Sequence, residues 1–392
     1  MAHELVVLGA AFLLAAVLAR LGARIGLPTI PLFMAAGIAM GPNTPGLVLF
    51  DHPEDLELLA AFGLIFLMFY LGVEFSIDDL VGGGRKLVYS AAIYLGLNFG
   101  MGVAFGFALG WGSSEAFVLA GIIGISSSAI VTKTLVELHR LENPETPLIL
   151  GIIVIEGLFL ALYLAALAPV LGQAKGTGEA VLLFAKAAAF LIAVVAIARF
   201  GTRVVSRLLH TDDDELLVVS FVGIALLVAG IAAGLGLSDA IGAFLAGLVI
   251  APTTVAPRVR KLVLPLRDTF AAIFFFAFGL SVDPADATTV AVPALLAAAM
   301  SVVLTGVAGI AAARIHGWDR LAAANIGLTT LARGEFALIL GALAVAAGLD
   351  GRISGFVALY VLVLAVASPI LATRSATLSK VIPLRWVRAD AT

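Results

Sequence analysis

Long apolar runs separated by short polar breaks make up almost the whole chain. Thirteen can be drawn, over approximately 4–20, 28–42, 57–74, 87–110, 115–137, 147–171, 179–200, 215–236, 239–252, 264–281, 288–313, 320–348 and 353–373. Most are long enough to cross a ~30 Å hydrocarbon core as a helix rising ~1.5 Å per residue. The second and ninth are short and begin or end at Pro and Gly. The fifth and twelfth are interrupted at their centres, by Gly124-Ile125-Ser126-Ser127-Ser128 and by Thr329-Thr330-Leu331-Ala332-Arg333-Gly334-Glu335. The pattern predicts an all-α polytopic membrane protein with thirteen transmembrane helices.

Composition agrees. The chain is 62% hydrophobic and 12% charged, with mean hydropathy +1.14, more apolar surface than a soluble fold of 392 residues can hide. The absence of cysteine excludes disulfides, thiolate metal sites and thiol catalysis. The first run begins at Glu4 and has Arg20 and Arg24 at and beyond its end, the reverse of a secretory leader, so an uncleaved first helix is expected.

Thirteen spans put the termini on opposite sides. Eighteen Lys and Arg residues fall in or beside the odd-numbered loops and the C-terminal tail, against Lys175 and Arg352 in the even-numbered loops. Basic residues mark the cytoplasmic side, so the N-terminus is expected outside and the C-terminus in the cytoplasm, across the inner or plasma membrane.

The chain also echoes itself. Leu32 to Gly37, ending at Pro42, resembles Ala243 to Gly247, ending at Pro252. Ile65 to Gly72 resembles Ile273 to Gly279. Both pairs are seven segments apart, as are the two interrupted segments. An odd offset makes the copies antiparallel. That predicts an inverted repeat, with repeat one at approximately 28–171 and repeat two at approximately 239–373, and a site between them.

Glu156 stands within the apolar run 147–171, where a carboxylate costs ~2.5 kcal/mol or more on insertion scales and is by default a functional group. Ile125, Glu156 and Arg333 each lie ~15–20 Å into their segments, near the centre of the core. Burial disfavours the charged carboxylate and a bound cation restores it, so proton and cation would compete for Glu156. The alternative is a structural acid paired with Arg333 or Lys133. Ser126, Ser127 and Ser128 offer oxygens suited to a hard monovalent cation at Glu156, or act as packing and backbone-bonding hydroxyls. Arg333 and Glu335, flanking Gly334, either neutralise each other or cap the broken backbone. Lys133 is placed to snorkel or to gate.

Away from that plane, Asp239 reads as a helix cap, and Asp212 to Asp214 as a solvated loop with a cap. Gly96, Gly100, Gly102, Gly106 and Gly110 give small-residue spacing for close packing, and for a dimer contact. There is no phosphate loop, zinc-ligand set or nucleophile triad, so no enzyme activity and no nucleic-acid partner is expected.

These strings together resemble the monovalent cation:proton antiporters of the second (CPA2) type, in particular Kef-like and KhtU-like potassium/proton antiporters. The resemblance rests on Leu27-Pro28 through Gly41-Pro42, Ser126 through Leu135, Gly242 through Gly247, Arg267-Asp268 through Ser281, and Arg333-Gly334-Glu335-Phe336. It implies one transmembrane exchanger domain over 1–392 with an NhaA-like antiporter fold. It further implies two crossed discontinuous helices, a homodimer in the bilayer, and elevator-like exchange of K+ or Na+ for H+ with no other cofactor. The chain stops at Thr392, so a regulatory subunit is expected as a separate cytoplasmic polypeptide or not at all.

Two positions depart from that family. Its sixth segment usually carries an acidic or amide residue followed by the ion-carrying Asp; here the pair is Glu156-Gly157. Its eleventh often carries a Lys; Pro293 to Gly309 has no basic residue. Losing an acid and a base together keeps the core balanced. Three readings follow: Glu156 takes over as carrier, the stoichiometry or substrate changes, or the protein binds without transporting. A non-transporting sensor subunit and an organic-anion symporter are the rival functions.

Overall fold

The structure, a computed structural model, describes residues 29–44, 56–74, 84–167, 200–235, 239–280 and 284–387, with scattered positions elsewhere. The predicted segments 4–20 and 179–200 lie largely outside the described residues. Among the described residues all regular structure is helical: α1 (Thr29–Met40), α2 (Glu57–Glu74), α3 (Gly84–Leu109), α4 (Ser113–Gly124), α5 (Ser128–Glu137), α6 (Thr146–Leu167), α7 (Thr202–Leu208), α8 (Asp214–Gly234), α9 (Asp239–Ile250), α10 (Ala256–Leu280), α11 (Pro284–His316), α12 (Arg320–Thr329), α13 (Glu335–Ala346), α14 (Arg352–Thr373) and α15 (Ser375–Leu378). Seven are long and apolar enough to cross a membrane, and α4, α9 and α13 are shorter apolar helices.

Local chemistry sets the ends. The Asp213 carboxylate accepts the Glu215 N–H at 2.8 Å and starts α8; Asp319 accepts the Ala322 N–H at 2.8 Å and starts α12. Asp239, at the head of α9, accepts the Ala240 N–H at 2.9 Å. The polar centres of the fifth and twelfth segments are true interruptions. α4 stops at Gly124 with Ile125 extended, and α5 resumes at Ser128. α12 stops at Thr329, and Gly334 is extended before α13. One helix is longer than hydropathy suggests: α10 begins at Ala256 rather than near 264. Its first turns are basic, and Arg258 bonds the Thr211 and Asp212 carbonyls and the Asp214 carboxylate.

The chain divides into two compact units, residues 1–51, 78–158 and 278–392, and residues 52–77 and 159–277. In the second, Phe69 of α2 stacks on Phe221 of α8, and a Cβ at Gly72 would overlap the Phe244 carbonyl oxygen of α9. In the first, Tyr94 of α3, Val131 of α5, Ile149 of α6, Ala308 of α11, Ile326 of α12 and Ala365 of α14 share one core.

Close contacts recur along the sequence. Gly72 meets Phe244, Gly247 and Leu248; Gly279 meets Met34, Gly37 and Ile38. Gly102 lies against Ala120, and Gly309 against Gly327. Two helical hairpins turn through Gly110 (φ 68°) and Gly317 (φ 74°), each followed by Trp. Gly72 and Gly279 are 207 positions apart, as are Gly102 and Gly309, Gly110 and Gly317, and Trp111 and Trp318. The glycines of the fourth segment divide by face. Gly102 and Gly106 meet α4, whereas Gly96 and Gly100 have nothing within 4 Å.

Candidate functional site

The two interruptions touch. The Ser127 N–H donates to the Ala332 carbonyl at 2.9 Å, joining the extended stretch after α4 to the one after α12. Four helix ends therefore meet within one unit, and their unpaired backbone groups need partners in a medium without water.

Arg333 serves the carbonyl ends. It is fully buried, and its guanidinium donates to Ile123 O at 2.8 and 3.0 Å, and to Thr330 O and Leu331 O at 3.0 Å each. These oxygens close α4 and follow α12, where the helix dipoles are negative. Asn98 Oδ1 accepts from the same guanidinium at 3.3 Å, and Tyr94 donates to Thr330 O at 2.8 Å. The Arg333 guanidinium thus lies on backbone carbonyls at the helix ends, with Tyr94 and Asn98 of α3 beside it.

Glu335 serves the amide ends. It stands first in α13, and its carboxylate accepts the Ser127 hydroxyl at 2.5 Å and the Ser128 hydroxyl at 2.9 Å, at the start of α5. A negative group so lies at two helix N-termini and a positive one at two C-termini. Gly334 is required by closeness: a Cβ there would stand 2.6 Å from Ser127 Oγ. Lys133 is half-buried farther along α5.

Glu156 is placed apart from this pairing. It is 1% exposed on α6, and both its oxygens point at Ser126: Oε1 accepts the backbone N–H at 3.0 Å and Oε2 accepts the hydroxyl. The adjacent Gly157 is buried. The four predicted ion-site residues therefore fall into two groups, Ser126 with Glu156 and Ser127 and Ser128 with Glu335. Ser126 sits where the helix is open, so its N–H is free of a helical partner and reaches a side chain.

Sequence reasoning missed Tyr94 and Asn98. Their signal is two polar residues one turn apart in an apolar segment otherwise marked by glycines. It also gave no role to Ser301, which lies in the segment lacking a Lys and shares a 2.7 Å hydrogen bond with Tyr360.

A multi-helix membrane protein in which two helix breaks meet, one of them in contact with a buried carboxylate, has the architecture of an ion-coupled carrier. The comparisons with known proteins specify which. The transmembrane model of the sodium/hydrogen exchanger family matches residues 10–374, and the chain belongs to that family. It is 37% identical to the K(+)/H(+) antiporter subunit KhtU of Bacillus subtilis over 96% of this chain and 94% of that one. It is 28% identical to the ammonium/H(+) antiporter subunit AmhT of Alkalihalophilus pseudofirmus, over 92% and 90%. The sodium proton antiporter MjNhaP1 of Methanocaldococcus jannaschii superposes with a TM-score of 0.73 at 16% identity, covering 96% and 99%, which establishes a shared fold.

Proposed function

We propose that this chain exchanges a monovalent cation for protons, with Glu156 as the group for which the two compete. The observation that carries the reading is the Glu156–Ser126 contact, a buried carboxylate held by the N–H and hydroxyl of an interrupted helix. The ionised carboxylate accepts from both donors. A proton on Oε2 reverses the second bond, because the Ser126 hydroxyl must then accept. A cation instead takes the carboxylate and the Ser126 oxygen as ligands and turns the hydroxyl hydrogen away. Proton and cation so exclude each other at one pair of oxygens. A single carboxylate at which proton and cation compete predicts one-for-one electroneutral exchange. K+ is the first cation to test, by the likeness to the KhtU subunit, and Na+ the second.

The frame proposed for this exchange is thirteen spans with an NhaA-like inverted repeat, approximately 28–171 and 239–373. The fifth and twelfth segments are its crossed discontinuous helices, and the protein is a homodimer with its C-terminus in the cytoplasm. The recurring glycine contacts and the matched Gly-Trp hairpins support the repeat.

The test is proton flux into proteoliposomes holding a trapped pH dye, with K+, Na+ or choline added. Wild type moves protons with K+ or Na+ and not with choline, and Glu156→Gln does not. Unchanged flux in Glu156→Gln removes Glu156 from the mechanism. A folded wild type that moves nothing favours the second reading, a binding or sensing subunit, to which the Gly157 departure points.

A further inference from the structure

We propose that the segment following α14, residues 375–387, is a binding surface for anionic phospholipid headgroups. Its two sides differ. Leu378 and Ile382 turn inward and pack, with Leu138 and Leu371, on Ala324 and Leu328 of α12 and Ala372 of α14. Arg140 ties the segment down, donating to Ala372 O at 2.8 Å and to the Ser375 hydroxyl at 3.3 Å. The other side stays open: Val381 is 81% exposed, Leu384 50% and Trp386 44%, with the exposed cation Lys380 before Val381 and Arg385 between Leu384 and Trp386.

Large apolar groups interleaved with cations suit the edge of a bilayer. The segment begins two residues after Thr373, the end of a helix long and apolar enough to span, so it emerges at headgroup level. Trp favours that depth, and Lys and Arg there gain from negatively charged headgroups. The charge argues for lipid over an apolar protein surface. The segment so sits on α12, which ends at one break, and is tethered by Arg140 of the α5–α6 loop. The inference rests on the spanning helix and not on the proposed exchange.

The cysteine-free chain allows a clean probe. Bimane attached at Val381→Cys, in vesicles of phosphatidylcholine with rising phosphatidylglycerol, is expected to shift to the blue. Nitroxide-headgroup lipids quench it, and dissolved iodide ceases to. In the Lys380→Gln, Arg385→Gln background the phosphatidylglycerol fraction giving half the shift rises several-fold. The same probe at Asp212→Cys, on a hydrophilic loop, stays water-exposed throughout. A probe at 381 that remains iodide-quenched in every vesicle overturns the proposal and leaves this face to a soluble protein. A shift that occurs equally without phosphatidylglycerol, or that ignores the two charge changes, overturns the anionic preference.

Discussion

In the exchange proposed above, cation and proton would meet at Ser126, which touches Glu156 through two chemically distinct groups. Its N–H belongs to the backbone and survives substitution, whereas its hydroxyl donates to Glu156 and, in that proposal, supplies an oxygen to the cation. Ser126→Ala is therefore expected to fold and keep Glu156 oriented. The variant removes one oxygen ligand from the bound cation, so the half-saturating cation concentration is expected to rise, tenfold for each ~1.4 kcal/mol of binding lost. The maximal rate should change little. Proteoliposome titrations check this, and a collapse in rate at unchanged half-saturation would contradict it. The proposed competition sets the sign of the pH dependence: a proton on Glu156 would exclude the cation, so the half-saturating cation concentration is expected to rise as pH falls. The serine run illustrates what sequence alone conveys. Three consecutive hydroxyls in a broken helix announced oxygens near Glu156. Their division, Ser126 to Glu156 and the next two to Glu335, depends on which way an extended stretch turns its side chains, and no spacing rule encodes that.

The helices are held where they are by contacts that tolerate no added carbon. Gly72 of α2 lies on the Phe244 carbonyl of α9, so Gly72→Ala must push two helices apart, an overpacking cost of about 1–3 kcal/mol. Gly96 of α3 faces open space, and Gly96→Ala should be neutral or stabilising by up to about 1 kcal/mol, from helix propensity. Thermal unfolding in detergent should lower the midpoint of the first variant and not of the second; matched losses would place an unseen neighbour against Gly96. The same contrast marks the limit of the sequence reading. Five glycines in the fourth segment signalled close packing, but only the helix phase tells Gly102 and Gly106 from Gly96 and Gly100. The interruptions at 124–128 and 329–335 were legible because polar residues break an otherwise unbroken apolar run. The start of α10 was not, because Arg258, Arg260 and Lys261 look like a loop until Arg258 is seen bonded to the residues before α8.

At the scale of the whole molecule, the Gly-Trp hairpins at 110–111 and 317–318 join corresponding helix pairs, α3 to α4 and α11 to α12. On the thirteen-span frame proposed above they are seven spans apart and so would lie on opposite sides of the membrane; an even interval would place them on the same side. The basic residues make the same division, since Arg314 and Arg320 flank the second hairpin and none flanks the first. A single cysteine at Ser113 or at Leu321, both exposed, distinguishes the arrangements. With a membrane-impermeant maleimide added to intact cells, Ser113→Cys is expected to be labelled at once and Leu321→Cys only after permeabilisation. The opposite order would preserve the inverted repeat and reverse the orientation. Labelling of both from one side would remove the repeat, and with it the reason for two helix breaks to face each other. In an antiparallel pair the C-terminal carbonyls of α4 and α12 approach from opposite leaflets, which lets one cation, Arg333, cap both and leaves the Ser126 N–H to Glu156.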